Sequence, residues 1–239
     1  MRSKPKKMSN ITRNVVILVG LLIAFSVWGI FTFDNKSKTP TKSSETVDSV
    51  DSKLQPSTSP ILVIGNPNAK ATIIEYADYK CPECGKFFQS AGKQIRKDYV
   101  ETGLVKIVFR PYPVYSEDGA KALAGSYCAN NQGKFTEYHD ELFEYMWSNH
   151  FQKGDYQKAI DPVLNDSVIG AILKNVGIDK ATYDSCLANE DTRKAYDADI
   201  DLAAPDEIQG TPSFIIGGQK IVGPQPYTVF KTLLDIQLR

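Results

Sequence analysis

The sequence predicts an α/β domain that carries an all-helical insertion between two groups of strands. Three observations support this. Two β-branched runs, Ala71–Ala77 and 104–109, bracket a helical stripe. Only helical patterning follows over about 117–204. Strand character then returns at Ser213–Ile216 and 220–222, joined by Gly217-Gly218.

Taken in order, 61–64 is a short apolar run stopped by Gly65-Asn66-Pro67. Ala71–Ala77 lacks turn residues and reads as a strand buried on both faces. A helix opens after Cys81-Pro82-Glu83-Cys84, with Cys84, Phe88, Ala91, Ile95 and Tyr99 on one stripe. Thr102-Gly103 ends it, and the strand at 104–109 is broken by Arg110-Pro111-Tyr112-Pro113. This strand–helix–strand unit opens a parallel sheet. Within the insertion, Ala120 to Ala124 is strongly helix-forming, and Phe135, Tyr138, Leu142, Phe143 and Met146 form an amphipathic stripe. Gly217-Gly218 makes the later strands an antiparallel hairpin, and a last helix covers 227–238.

The 239 residues are 42% hydrophobic and 23% charged, ordinary for a globular chain and incompatible with wholesale disorder. Basic and acidic residues balance at 28 each, so nothing suggests a nucleic-acid partner. The charge is unevenly placed. Residues 1–33 contain five basic residues (Arg2, Lys4, Lys6, Lys7 and Arg13) and no acidic ones, which leaves the rest at a net charge of −5. The uncharged run at 15–33 is long enough for a transmembrane helix, about 28 Å at 1.5 Å per residue. Its positive flank makes 1–14 a cytoplasmic tail and exports the body. The competing reading is a cleaved signal peptide, whose only small-x-small trio, Ala24-Phe25-Ser26, falls inside the apolar run. Segment 34–60, rich in Ser, Thr, Lys, Asp and Pro, reads as a flexible linker to the domain at 61–239.

Chemistry concentrates in the cysteines. Cys81 falls at a helix N-terminus, where unpaired N–H groups and the helix dipole stabilise a thiolate. Pro82 suits the first turn, since its missing N–H has no helical partner. Cys84 is three residues on, within disulfide reach and on the buried stripe. Cys81 is therefore expected to be the exposed attacking sulfur and Cys84 the shielded one. A zinc site is the alternative. It lacks a second close pair, because Cys128 and Cys186 are 58 apart and the histidines are only His139 and His150. Glu75 interrupts the apolar strand six residues before Cys81. If buried, it has a raised pKa and can pass protons to and from Cys84; on an edge strand it is merely exposed. The histidines read as ordinary helix-face residues.

Together these features resemble the DsbA-like thiol–disulfide oxidoreductases, extracytoplasmic members of the thioredoxin superfamily. The matching residues are Glu75, Cys81-Pro82-Glu83-Cys84 and Gly210-Thr211-Pro212, with Gln132-Gly133-Lys134-Phe135 in the helical insert. The resemblance spans 61–239 and implies a thioredoxin fold with a central mixed sheet. It implies that Pro212 is a cis proline facing the cysteine pair, and that the Thr211 backbone pairs with a bound polypeptide like an added strand. It also supports a structural bridge between Cys128 and Cys186, against two free buried thiols. The implied activity is a membrane-anchored dithiol oxidase. It would insert disulfides into folding exported proteins and be recharged by a quinone-linked membrane partner of the DsbB or vitamin-K-epoxide-reductase type. A reductase or isomerase, or a peptide-binding module, is the alternative. No cofactor or metal is expected beyond the cysteine pair, and the chain is expected to be a monomer. Pro82 and Glu83 are expected to tune the pair. Glu83 stands where strong oxidants often have histidine, and its carboxylate should raise the Cys81 pKa.

Overall fold

The computed structural model describes residues 61–239, so the expected tail, anchor and linker at 1–14, 15–33 and 34–60 lie outside the described residues. Among the described residues no helix is long and apolar enough to cross a membrane. Five strands form one mixed sheet: β1 (Leu62–Ile64), β2 (Ala71–Ala77), β3 (Val105–Pro111), β4 (Ser213–Ile216) and β5 (Gln219–Val222). Their order is β1-β3-β2-β4-β5. Only β2 and β3 run parallel, the arrangement that needs the helical crossover between them; the remaining pairs are antiparallel. β2 therefore lies in the middle, which explains why its sequence is apolar on both faces.

Strand β3 runs two residues further than its sequence suggests. Its last rung pairs Pro111 with Ala77. A proline closes the strand there because Tyr112 supplies the next N–H, donating to Ala77 O at 3.0 Å.

The crossover helix, α1, is a continuous run over 82–100. It is α-helical at Pro82–Phe87 and Lys93–Ile95, and π-helical at Phe88–Gly92 and Arg96–Val100. Its expected stripe of Cys84, Phe88, Ala91, Ile95 and Tyr99 is buried throughout. The insertion holds α2 (Glu117–Asn131), α3 (Phe135–Asn149), α4 (Asp166–Val176), α5 (Lys180–Leu187) and α6 (Glu190–Asp201), with two 3-10 turns after α3. Asn165, Asp179 and Asn189 cap the last three through backbone N–H groups two or three residues on. Gly177 ends α4 at φ 74, a conformation that costs glycine nothing. Helix α7 (Tyr227–Gln237) packs beside α1.

Period-two alternation divides the sheet residues between two layers. Ile73, Phe109, Phe214 and Ile216 join the main core with α1, α3 and α7. Tyr76 faces the other way into a smaller cluster with Ala203 and Ile208, against which Ile74 and Ile215 pack. The segment after α6 thus returns to cover the second face.

Candidate active site

Strand β2 ends at Ala77, and Asp78-Tyr79-Lys80 lead directly into Cys81, the N-cap of α1. Cys81 has extended backbone angles and its N–H donates to Asp78 O at 3.0 Å. Pro82 occupies the first helical turn. The two cysteines are free thiols, and the Cys84 N–H donates to Cys81 Sγ at 3.3 Å. Across from them, the Thr211–Pro212 peptide is cis, and Cys81 Sγ lies 3.5 Å from Thr211 O.

The two sulfurs differ sharply in acidity. The Cys84 thiol hydrogen-bonds to Cys81 and lowers the Cys81 pKa to about 7, aided by Thr211 and the Cys84 N–H and opposed by burial. Burial pushes Cys84 well above the ordinary thiol range, and its bond to Cys81 adds to the rise. Cys81 is therefore the sulfur that ionises, and Cys84 the one that retains its proton.

The expectation that Cys81 is exposed fails. It is 1% accessible against 0% for Cys84. Thr211 O lies 3.5 Å from its sulfur, and the Tyr115 hydroxyl is near enough that burial and the Cys81 sulfur together raise the tyrosine's pKa. Attack by another sulfur therefore requires these neighbours to part. Acidity, rather than exposure, distinguishes the two cysteines.

The expected effect of Glu83 also falls to another residue. Its side chain is 54% exposed and lies 3.7 Å from Lys86. Asp78 is the carboxylate that opposes Cys81 ionisation. Sequence reasoning missed Asp78, because an acidic residue after a strand reads as solvated loop. It is completely buried. Its carboxylate accepts N–H groups from Lys80 at 2.9 Å, Val114 at 2.8 Å and Tyr115 at 3.4 Å. Lys80 is fully buried too, with Nζ 2.8 Å from Asp118 Oδ1 and 2.6 Å from Asp161 O. These contacts tie the approach to Cys81 to the start of α2. No sequence pattern signals them, because the partners lie 38 and 81 residues away.

Glu75 lies on the central strand and is 4% exposed, which excludes the edge-strand alternative. It is in register with Phe109 of β3 and Phe214 of β4. Phe214 packs against Phe87 of α1 with ring centroids 4.4 Å apart and the rings tilted by 50°, so Glu75 shares the face of the sheet that α1 covers. Burial raises its pKa from an ordinary 4.5 to about 7, against the field of Arg96. The carboxyl can therefore change protonation at neutral pH. Cys128 of α2 and Cys186 of α5 form a disulfide within the insert, with Cα atoms 5.6 Å apart. Among the described residues no cluster of His, Cys, Asp and Glu could hold a metal ion.

The chain matches a protein family described as Thioredoxin over residues 57–236. The disulfide bond formation protein D of Bacillus subtilis is 26% identical over 187 residues, covering 77% of this chain and 80% of that protein. The probable disulfide bond formation protein D of Bacillus cereus is 24% identical over 178 residues, covering 74% and 78%. Among solved structures, alpha-DsbA1 of Wolbachia pipientis superposes with a TM-score of 0.63 at 20% identity, covering 80% of this chain and 96% of that one. Oxidised BdbD of Bacillus subtilis superposes with a TM-score of 0.61 at 23% identity, covering 74% and 92%. A thiolate-forming Cys81 beside a proton-retaining Cys84 at the head of α1, on this fold and within this match, makes the chain a member of the thioredoxin family and a DsbA-like thiol–disulfide oxidoreductase.

Proposed function

We propose that the protein is a dithiol oxidase of exported proteins, held at the outer face of the cell membrane by segment 15–33 and acting as a monomer. The observation that carries this reading is the stabilised thiolate at Cys81. Whatever favours the reduced pair makes the disulfide more willing to take electrons. The names borne by the Bacillus relatives support the same direction.

In the reaction, a client thiolate attacks Cys81 Sγ of the Cys81–Cys84 disulfide. A mixed disulfide forms, the Cys81–Cys84 bond breaks, and its electron pair leaves on Cys84. Cys84 is buried and has a high proton affinity, so it takes a proton, and Glu75, buried on the sheet face that α1 covers and able to change protonation near neutral pH, is its donor. A second client thiolate then attacks the client sulfur of the mixed disulfide. The client disulfide closes and Cys81 departs as a thiolate, so two electrons have passed to the enzyme. The client lies along the Thr211-Pro212 segment as an added strand. A quinone-linked membrane protein of the DsbB or vitamin-K-epoxide-reductase type reoxidises the pair.

One observation favours a second reading, a reductase or isomerase. The Cys81 pKa is lowered only to about 7, near that of thioredoxin rather than the roughly 3.5 of a strong oxidant. Equilibrating the full chain in detergent with glutathione buffers decides between them. A potential of about −120 to −180 mV supports the oxidase, and one near −270 mV rejects it in favour of the reductase.

A further inference from the structure

Glu75 has no charged group on the strands beside it, since β3 and β4 present Phe109 and Phe214 to it in register. Arg96 of α1 and Asp140 of α3 act on it through their charges, Tyr79 in the loop after β2 feels its charge in turn, and His139 of α3 packs against Phe109, its neighbour in register, at 5.0 Å between ring centroids. Arg96 and Asp140 are the two charges whose fields reach its carboxyl, and they act in opposite directions.

These charges belong to a built cluster at the seam between α1 and the insertion. Arg96 Nη1 donates to Asp140 Oδ2 at 2.6 Å, and its Nη2 lies 3.2 Å from His139 Nδ1. The guanidinium also rests 5.5 Å from the Phe88 ring centroid. His139 is 1% exposed and is caged by Tyr79, Phe88, Phe109, Phe135 and Phe143. Its Nδ1 is also 2.9 Å from Asp140 Oδ1. A neutral ring can donate to Asp140 or accept from Arg96, but not both. In either tautomer Nε2 is buried without a partner. Burial holds the ring neutral at physiological pH by lowering its pKa to about 4. His139 thus fixes the Arg96 head without adding a second charge.

The cluster counteracts what burial does to Glu75. With no opposing cation, a carboxyl enclosed by phenylalanine rings would keep its proton far above neutral pH. A proton carrier works best when its affinity matches the surrounding pH. We propose that Arg96, clamped by Asp140 and His139, is a positioning residue that keeps the Glu75 carboxyl able both to give and to take the Cys84 proton near neutral pH. The proposal rests on the reading of Glu75 as the proton carrier. It gives the helical insert a part in the redox chemistry, because two members of the clamp lie on α3.

The test is a pH titration of the full-length reduced chain in detergent, with carbon-13 at the glutamate carboxyls and E75Q to assign the resonance. R96M should raise the Glu75 midpoint by about one pH unit, and R96K should restore most of it. D140N, at a partly exposed residue, should lower the midpoint and serves if R96M fails to fold. An unmoved midpoint in correctly folded R96M or D140N, with the Cys128–Cys186 bridge intact, overturns the proposal. In parallel, R96M should shift the pH profile of disulfide exchange upward by the same interval, and E75Q should abolish that limb of the profile. If E75Q leaves the limb unchanged, the carrier reading fails and the positioning role with it; the titration still distinguishes that failure from a missing Arg96 coupling.

Discussion

At the scale of single residues, the site works by giving adjacent groups opposite proton affinities. Cys81 ionises because hydrogen bonds converge on its sulfur, and Cys84 does not because its burial, together with its bond to Cys81, outweighs the hydrogen bonds that would favour its thiolate. Alkylation of the reduced protein should therefore reach half its maximal rate near pH 7 at Cys81 and leave Cys84 unmodified, as read by peptide mass. Since Glu83 faces solvent, E83Q should leave that titration nearly unmoved, contrary to the sequence expectation. Glu75 links the site to stability. Its folded pKa of about 7 exceeds the ordinary 4.5, so between those values the folded protein binds a proton that the unfolded chain has released. Stability from this source is full below about pH 4.5, falls as pH rises through the window, and is gone above about pH 7. E75Q should thus stabilise the protein above pH 7 by roughly 3 kcal/mol, from about 2.5 pH units at about 1.36 kcal/mol each, and hardly at all at pH 4. Denaturant unfolding at the two pH values measures this.

At the scale of elements, the approach to Cys81 is held by a buried polar network. Lys80 and Asp118 join the end of β2 to the first turn of α2, and Asp78 grips the Val114-Tyr115 backbone over the cysteines. Burial by itself would raise the Asp118 pKa, but the Lys80 ammonium and the Ser116 hydroxyl more than offset this and leave it lowered. Removing Lys80 strands that carboxylate and the Asp161 carbonyl without their cation. K80M should therefore cost about 3–5 kcal/mol in chemical unfolding, a loss that a surface lysine would not produce. Helix α2 meets α5 at Gly125, where an added Cβ would collide with the Tyr183 hydroxyl and crowd that of Tyr138. G125A should destabilise by about 1–3 kcal/mol through overpacking, despite alanine's higher helix propensity. The element pattern itself was legible in the sequence. The stripe from Cys84 to Tyr99 and the Gly217-Gly218 turn occur where their spacing put them. The π-helical stretches of α1 were not legible, since the backbone at their ends keeps ordinary α-helical angles and no residue type marks them.

At the scale of the molecule, the sheet, α1 and the helical insert share one hydrophobic core. The Cys128–Cys186 bridge closes a loop of sequence separation 58 wholly within the insert. Replacing both cysteines by serine should lower stability by about 4 kcal/mol on the loop-entropy scale, while exchange through Cys81 persists; calorimetry and a disulfide-exchange assay test the two halves. Arrangement of the chain as β, βαβ, helices, ββα could be read from periodicity and turn residues, because these depend on neighbours within a few positions. The Cys-x-x-Cys pair at a helix start was readable for the same reason, its chemistry depending on a local N-terminus. Burial of Cys81, the solvent-facing course of Glu83 and the coupling of Glu75 to Arg96 depend on what other segments bring against them. Asp78, Lys80 and His139 belong with these: their types suggest solvated or ordinary helix-face positions, and only contact with distant residues makes them buried and paired. By itself the sequence determined which elements form and which two cysteines open the first long helix, both local properties of the chain. The tertiary structure alone decided how acidic those sulfurs and Glu75 are, because proton affinity follows desolvation and fields summed over groups remote in sequence.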